Sequence, residues 1–210
     1  MAGTRQNLSA HAALLEEVAA ETTVLPMRFG VILPDPGAVR DEILRSRYPL
    51  LDDLLEKLDG LVEVRIRALY TEDQPFREIA KSDRTVRELR DRIRSRGPDA
   101  TYYDRIRLGE IVAQGLERAR VHDQRTVVDR MSRLATDHVV HPPATERVAS
   151  DVSFLVRRDR VKDLDGAAAD MQGESEGRLK VRAAGPLPPW SFVDAQLGST
   201  GRSPARTGGR

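Results

Sequence analysis

The sequence predicts an α+β fold, and three observations carry that prediction. LVEVRIRALY at 61–70 and RLKVRA at 178–183 alternate apolar and polar residues. VSFLV at 152–156 is almost continuously apolar, and the segments between these runs place apolar residues at helical spacing. A chain of 210 residues and 23.4 kDa has room for one large domain or two small ones and buries a core without disulfides or metal.

Each element can be justified in chain order. Leu8, Ala12, Leu15, Val18 and Ala19 recur at helical spacing, giving a short amphipathic helix over 8–20. In VLPMRFGVIL the period changes: Leu25, Met27, Phe29, Val31 and Leu33 are apolar while Arg28 and Gly30 fall between them, the pattern of a half-buried strand. Pro26 lacks a ladder donor and places that strand at a sheet edge. Pro34 to Gly37 break it, and 38–58 returns to helical spacing, divided at Pro49 and ended by Gly60.

LVEVRIRALY is the clearest strand, with Val62, Val64, Ile66 and Ala68 on the packed face and Glu63, Arg65 and Arg67 on a face expected to be wet. Short helices follow over 75–80 and 85–94. After the Gly97–Pro98 break, a long amphipathic stretch runs over 102–139, with a turn expected in its polar RARVHDQR middle. Residues 148–156 read as a central strand, 161–171 as a helix, QGESEG as a turn and RLKVRA as the last strand. The order from Leu61 onward is that of a ferredoxin-like split βαβ layer with helices on one face.

The composition excludes several function classes. No apolar run approaches the roughly 20 residues that span a bilayer, and MAGTRQNLSAHAALLEEV lacks the basic start and apolar block of a secretory signal, so a cytoplasmic protein without a membrane partner is expected. Absence of cysteine removes disulfides, thiolate nucleophiles and cysteine zinc sites. With 34 basic against 33 acidic residues, no global field favours nucleic acid, and any charge-driven partner must use a local patch. The tail, AQLGSTGRSPARTGGR at 195–210, is too polar to offset its ordering entropy and is expected to be disordered.

Catalytic motifs are missing. The four histidines His11, His122, His138 and His141 form no HExxH spacing. No Gly-rich phosphate loop or GxSxG elbow occurs, and acid pairs such as Asp52–Asp53 read as solvated helix faces. His138 and His141 beside Asp137 read as a solvated helix end in preference to a metal site. No catalytic residue, cofactor or metal is expected.

Two stretches stand out. In GPLPPWSFVD, Gly185 can turn out of the last strand and Pro186, Pro188 and Pro189 hold the exit extended. Trp190 and Phe192 then point the same way and lie as a lid on the open end of the hydrophobic layer. The PxxP match of Pro186 and Pro189 is the competing reading. In the 25–33 stretch, Arg28 reads as structural support ahead of a grip on a partner, and Met27 and Phe29 as core.

TTVLPMRFGVILPD at 22–35, LEKLDGLVEVRIRALY at 55–70, VSFLVRRDRVKDL at 152–164 and AAGPLPPWSFVD at 183–194 together resemble the GvpL/GvpF gas vesicle protein family, over about Leu8 to Asp194. The resemblance implies a two-domain α/β accessory protein of gas vesicle assembly without catalytic activity. It would contact the gas vesicle shell protein, other accessory proteins and further copies of itself, and reside at the gas vesicle. It implies a partial N-terminal α/β domain over 1–59 and a ferredoxin-like C-terminal α/β sandwich over 60–194. It also implies an interaction set of Leu25, Pro26, Arg28, Phe29, Gly30, Gly185, Pro186, Pro189, Trp190 and Phe192. Two departures are visible: Trp190 stands where the family more often has Tyr, and the family's leading strand has no counterpart ahead of the first helix. A shortened N-terminal half would leave the 25–33 strand with an open edge. The alternative function is an RNA-binding module using the sheet and the Arg-rich tail, disfavoured by the few aromatics and the balanced charge.

Overall fold

The computed structural model describes residues 4–97 and 99–197. Four antiparallel strands, β1 (Leu61–Tyr70), β2 (Asp137–Val140), β3 (Val148–Arg157) and β4 (Leu179–Leu187), form one sheet in the order β2-β3-β1-β4. Helix α1 (Arg5–Glu21) precedes a helical run made of the turn α2 (Pro36–Ala38), a wide π-helical segment (Val39–Arg45) and α3 (Ser46–Lys57). Between β1 and β2 come α4 (Gln74–Ser82), α5 (Arg84–Ser95) and α6 (Tyr102–Met131). Helix α7 (Val161–Glu174) joins β3 to β4, and α8 (Trp190–Leu197) closes the described chain. Among the described residues no helix is long and apolar enough to cross a membrane.

Period-2 patterning builds the main core. In register, Val62, Val64 and Ile66 face Val156, Phe154 and Val152, and all six are at most 2% exposed. Their common face packs on Leu116, Val127 and Met131 of α6 and Leu164, Ala168 and Met171 of α7. Burying each Val, Ile, Leu or Phe contributes about 1.5–3 kcal/mol, so this layer dominates stability. β3 lies between β2 and β1 and is buried along nearly its whole length, as its apolar run predicts.

The opposite face of β1 is not the wet surface that alternation suggests. Glu63 and Asp151 are each only 3% exposed. Asp151 accepts from Arg65 Nε (2.6 Å) and Nη2 (2.9 Å) and from Arg67 Nε (3.2 Å), so two guanidinium groups cover it. Arg65 is held further toward its charged form, first by that hydrogen bond and against the penalty of burial.

Two further corrections concern continuity. No strand forms at 25–33: the backbone there joins no ladder and turns at Phe29–Gly30, where Gly30 takes φ +93°. An edge strand needs a hydrogen-bonded neighbour, and the four strands of the sheet pair only with one another. No turn interrupts α6 either. Its polar middle stays helical because Asp123 finds partners inside the protein: Tyr70 donates its hydroxyl to Oδ2 (2.7 Å), and Arg178 Nη1 and Nη2 donate to Oδ1 and Oδ2 (2.8 Å each). Arg178 also reaches Glu78 on α4 through Nε (2.9 and 3.0 Å) and lies 5.6 Å from the Tyr70 ring centre. Burial, then the bond to Asp123, pushes the Tyr70 hydroxyl well above its usual range.

Pro49 falls inside α3, immediately after the π-helical segment. Proline cannot return an amide hydrogen to the preceding turn, and the widened turn ahead of it accommodates that mismatch. At the outer edge of β4, the Val181 amide donates to Gln172 Oε1 (3.1 Å) and Ser175 Oγ donates to the Leu179 carbonyl (3.1 Å), while Pro186 has no amide hydrogen to offer. The first three residues of the tail predicted at 195–210 belong to α8, and the rest lie outside the described residues.

Candidate functional site

The two distinctive stretches, 155 residues apart by Gly30 and Gly185, meet around α1. His11 of α1 donates from Nε2 to the Met27 carbonyl (3.0 Å), and its ring centre lies 5.6 Å from that of Phe29 and 6.0 Å from that of Trp190. Beneath this cluster Leu25 packs against Leu58, Val139, Leu155, Phe192 and Val193. Arg158, just beyond β3, donates to the Ala19 (2.7 Å) and Ala20 (3.0 Å) carbonyls and so fastens the last turn of α1. Thr23 Oγ1 donates to Asp59 (3.1 Å), tying the chain after α1 to the start of β1.

The candidate residues divide into a buried and an exposed set. Pro26, Pro189 and Phe192 are buried, Leu25 and Trp190 are partly buried, and Arg28, Phe29, Gly30, Gly185 and Pro186 are exposed. Met27 and Phe29 are surface, not the core they were read as. The extended reading holds through Leu187, because β4 runs past Gly185 and Pro186, but beyond it Pro188 and Pro189 lead into a helix whose Phe192 and Val193 amides return to the Pro189 carbonyl (3.2 Å each). Phe192 and Val193 thus point inward at 4% and 0% exposure, and of the lid only the burial of an aromatic ring survives. Crowding favours glycine at 185, since a Cβ there would lie 3.0 Å from the Glu63 carbonyl and 3.1 Å from Val64 Cγ2.

Helix α8 is held by a polar cluster that the sequence does not announce. Glu63 accepts from the Ser191 amide and hydroxyl (2.8 Å each). Ser191 Oγ lies 3.1 Å from Ser153 Oγ and 3.4 Å from His141 Nε2, and His141 Nε2 lies 2.8 Å from Ser153 Oγ. Serine, histidine and glutamate meet here, but the carboxylate sits on the serine and not behind the imidazole, so it does not orient a base as a nucleophilic triad requires. What the arrangement does is satisfy buried polar groups and anchor α8. The register offers one clue to it, because His141 donates its amide to the Asp151 carbonyl (2.8 Å) and extends the β2 edge by one residue.

Burial lowers the His141 pKa, and Arg65 and Arg67 add to the effect while Asp151 and Glu63 oppose it. An unfolded histidine titrates near 6.5, so below that pH the unfolded chain takes up a proton that the folded chain refuses. Stability from this group is therefore complete above about pH 6.5 and declines as pH falls toward the folded value. Urea midpoints at neutral and mildly acidic pH should fall less steeply for His141→Gln than for the unaltered protein; equal slopes would remove His141 from the account.

Beside the aromatic cluster, the 23–33 segment and the helical run after it enclose an open groove of about 600 Å³. Leu25, Met27, Val31 and Leu33 form one wall and Ile43, Leu44, Leu51 and Leu55 the other, with Arg28, Glu42 and Arg47 at the rim. Many of the large exposed apolar side chains, including Met27, Phe29, Val31, Ile32, Leu44, Tyr48 and Leu55, lie in this part of the molecule. Among the described residues no group of three or more His, Cys, Asp or Glu side chains could hold a metal ion.

Comparison with known proteins places this architecture. The family model described as "Gas vesicle synthesis protein GvpL/GvpF" matches residues 1–194. Gas vesicle protein F of Streptomyces sp. (strain CB03234) is 35% identical over 193 residues, covering 90% of this chain and 78% of that relative. Gas vesicle protein F of Nostoc sp. (strain PCC 7120 / SAG 25.82 / UTEX 2576) is 22% identical with the same coverage. The crystal structure of GvpF from Anabaena sp. PCC7120 superimposes with a TM-score of 0.80 at 21% identity, and that from Microcystis aeruginosa with 0.75 at 19%. Each comparison covers 92% of this chain and 80% of the other, and shows a shared fold of helices around a sheet. With the match running over residues 1–194, the chain belongs to the GvpL/GvpF family of gas vesicle synthesis proteins.

Proposed function

We propose that this chain is a non-catalytic accessory protein of gas vesicle assembly that works by contact, docking the gas vesicle shell protein and other accessory proteins at the vesicle in the cytoplasm. The family match along residues 1–194 is the observation that carries this reading. The apolar groove of about 600 Å³ supports it, because an apolar surface of this kind, rimmed by charge, is suited to protein docking. Leu25, Pro26, Phe29 and Gly30 shape the groove's wall and its flank. Gly185, Pro186, Pro189, Trp190 and Phe192 set the helix that backs them, and Arg28 marks the rim. Self-association uses the same exposed apolar side chains.

The connectivity β1–α–β2–β3–α–β4 in the order β2-β3-β1-β4 supports the ferredoxin-like reading of 60–194. The 1–59 part then serves as the docking unit, joined at Gly60, whose φ of +67° turns the chain into β1.

The test is co-purification with the shell protein. The protein should retain the shell protein on affinity resin, Met27→Glu or Val31→Glu in the groove should abolish retention, and a strain lacking the gene should form no normal vesicles. Absence of retention together with normal vesicles in the deletion strain would defeat the reading.

A further inference from the structure

A second surface, remote in sequence from the apolar groove, carries charge. Between α4 and α5 lies an open groove of about 360 Å³ lined by Arg77, Ala80, Lys81, Arg87 and Arg90. Every polar residue in the lining is cationic, in a protein whose net charge is only +1.

The local sequence explains how the cations come together. Asp83 is the single residue between the helices, and its Oδ1 caps α5 by accepting from the Thr85 (2.8 Å) and Val86 (3.3 Å) amides, which fixes the reversal. Val86 and Leu89 then turn into the core at 1% and 0% exposure. That leaves Arg87 and Arg90 exposed beside Arg77 and Lys81, which lie one turn apart on α4.

Neighbouring arginines are neutralised, while three of the four cations in the groove are not. Arg84 pairs with Glu88 (2.7 Å) and Arg92 with Asp104 (3.3 Å). Among the described residues, Lys81, Arg87 and Arg90 have no carboxylate within 4.0 Å, and Arg77 reaches only Glu72 at 3.8 Å. Three unpaired cations beside a loosely paired Arg77 repel one another, and an anionic partner relieves that repulsion.

We propose that the α4–α5 groove is a docking site for an acidic protein segment, separate from the apolar groove and independent of what that groove binds. Charge complementarity selects an anion, and spacing selects its form. Arg87 and Arg90 are separated by about 4.5 Å along the helix axis and Arg77 and Lys81 by about 6 Å, the rise over three and four residues. Carboxylates at every third or fourth position of an acidic helix repeat at those intervals. Three of the four cations are arginine, which grips planar carboxylates bidentately. A nucleic-acid strand is disfavoured, because no aromatic ring lines the groove to stack a base.

The experiment uses the full chain and a labelled helical peptide with glutamate at every third or fourth position, read by fluorescence anisotropy. A glutamine version of the peptide and a labelled single-stranded RNA serve as competitors. The acidic peptide should bind, and binding should weaken as salt approaches about 0.15 M, where screening acts over about 8 Å. The double variant R87Q/R90Q should lose about tenfold in affinity, the sum of two partly exposed pairs. Arg84→Gln changes the net charge on the same helix but alters a paired arginine, so it should bind as the unaltered protein does. Circular dichroism confirms that each variant is folded. Equal loss in Arg84→Gln and R87Q/R90Q, tighter binding of the RNA than of the peptide, or no peptide binding at low salt would each overturn the proposal.

Discussion

Asp123→Ala is expected to lower the unfolding free energy by about 3–5 kcal/mol, the cost of breaking a buried ion pair by removing one partner. The carboxylate is the hub of three elements: it receives Tyr70 from β1 and both terminal nitrogens of Arg178, which in turn holds Glu78 of α4. Its side chain is 5% exposed and that of Arg178 26%. Removing it strands a buried tyrosine hydroxyl, which alone costs about 1–3 kcal/mol. For a chain of this length the melting temperature should drop by on the order of 10 °C. Tyr70→Phe keeps the Asp123–Arg178 pair and should cost only about 1 kcal/mol. Should Asp123→Ala melt within a degree or two of the unaltered protein in calorimetry, the network would be ornament and not structure.

Phe192→Ala should be almost as damaging, at about 3–5 kcal/mol, because it empties a site that is 4% exposed and lined by Leu58, Val139, Leu155 and Leu25. Its signature is local as well as global. Trp190 is the only tryptophan and stands two residues away against His11, so release of α8 should shift its emission to the red under conditions where the rest of the fold persists. Ser191→Ala, which deprives Glu63 of one of its two donors, should produce a smaller shift in the same direction. Unchanged emission in Phe192→Ala would mean that the residue does not seat the helix.

Much of the sheet was legible because it obeys a local rule. β1, β3 and β4 show their period or apolar run directly, and the helices between them show theirs. Where the reading failed, the deciding partner lay far away in the chain. Asp123 looked like part of a polar turn because Tyr70 and Arg178 are 53 and 55 residues distant. Glu63 looked solvated because Ser191, 128 residues later, is what covers it.

The 25–33 stretch failed for another reason. Alternation reports that a backbone is extended with two unlike sides, and a loop laid against a helix satisfies that as well as a strand does. In PPWSF the prolines read as an extended exit or a PxxP match, but proline also suits the start of a helix, and the helix found there buries Phe192 and Val193. His11, Glu63, Ser153 and His141 became visible only through the fold that gathers them, because no local pattern marks them.

The occupied rim of β4 has a consequence for the sheet's ability to recruit a further strand. With the Val181 amide satisfied by Gln172 and an imino acid at 186, incoming chains find no continuous row of main-chain partners there. That rim therefore offers no template for a further strand, and contacts made there run through side chains.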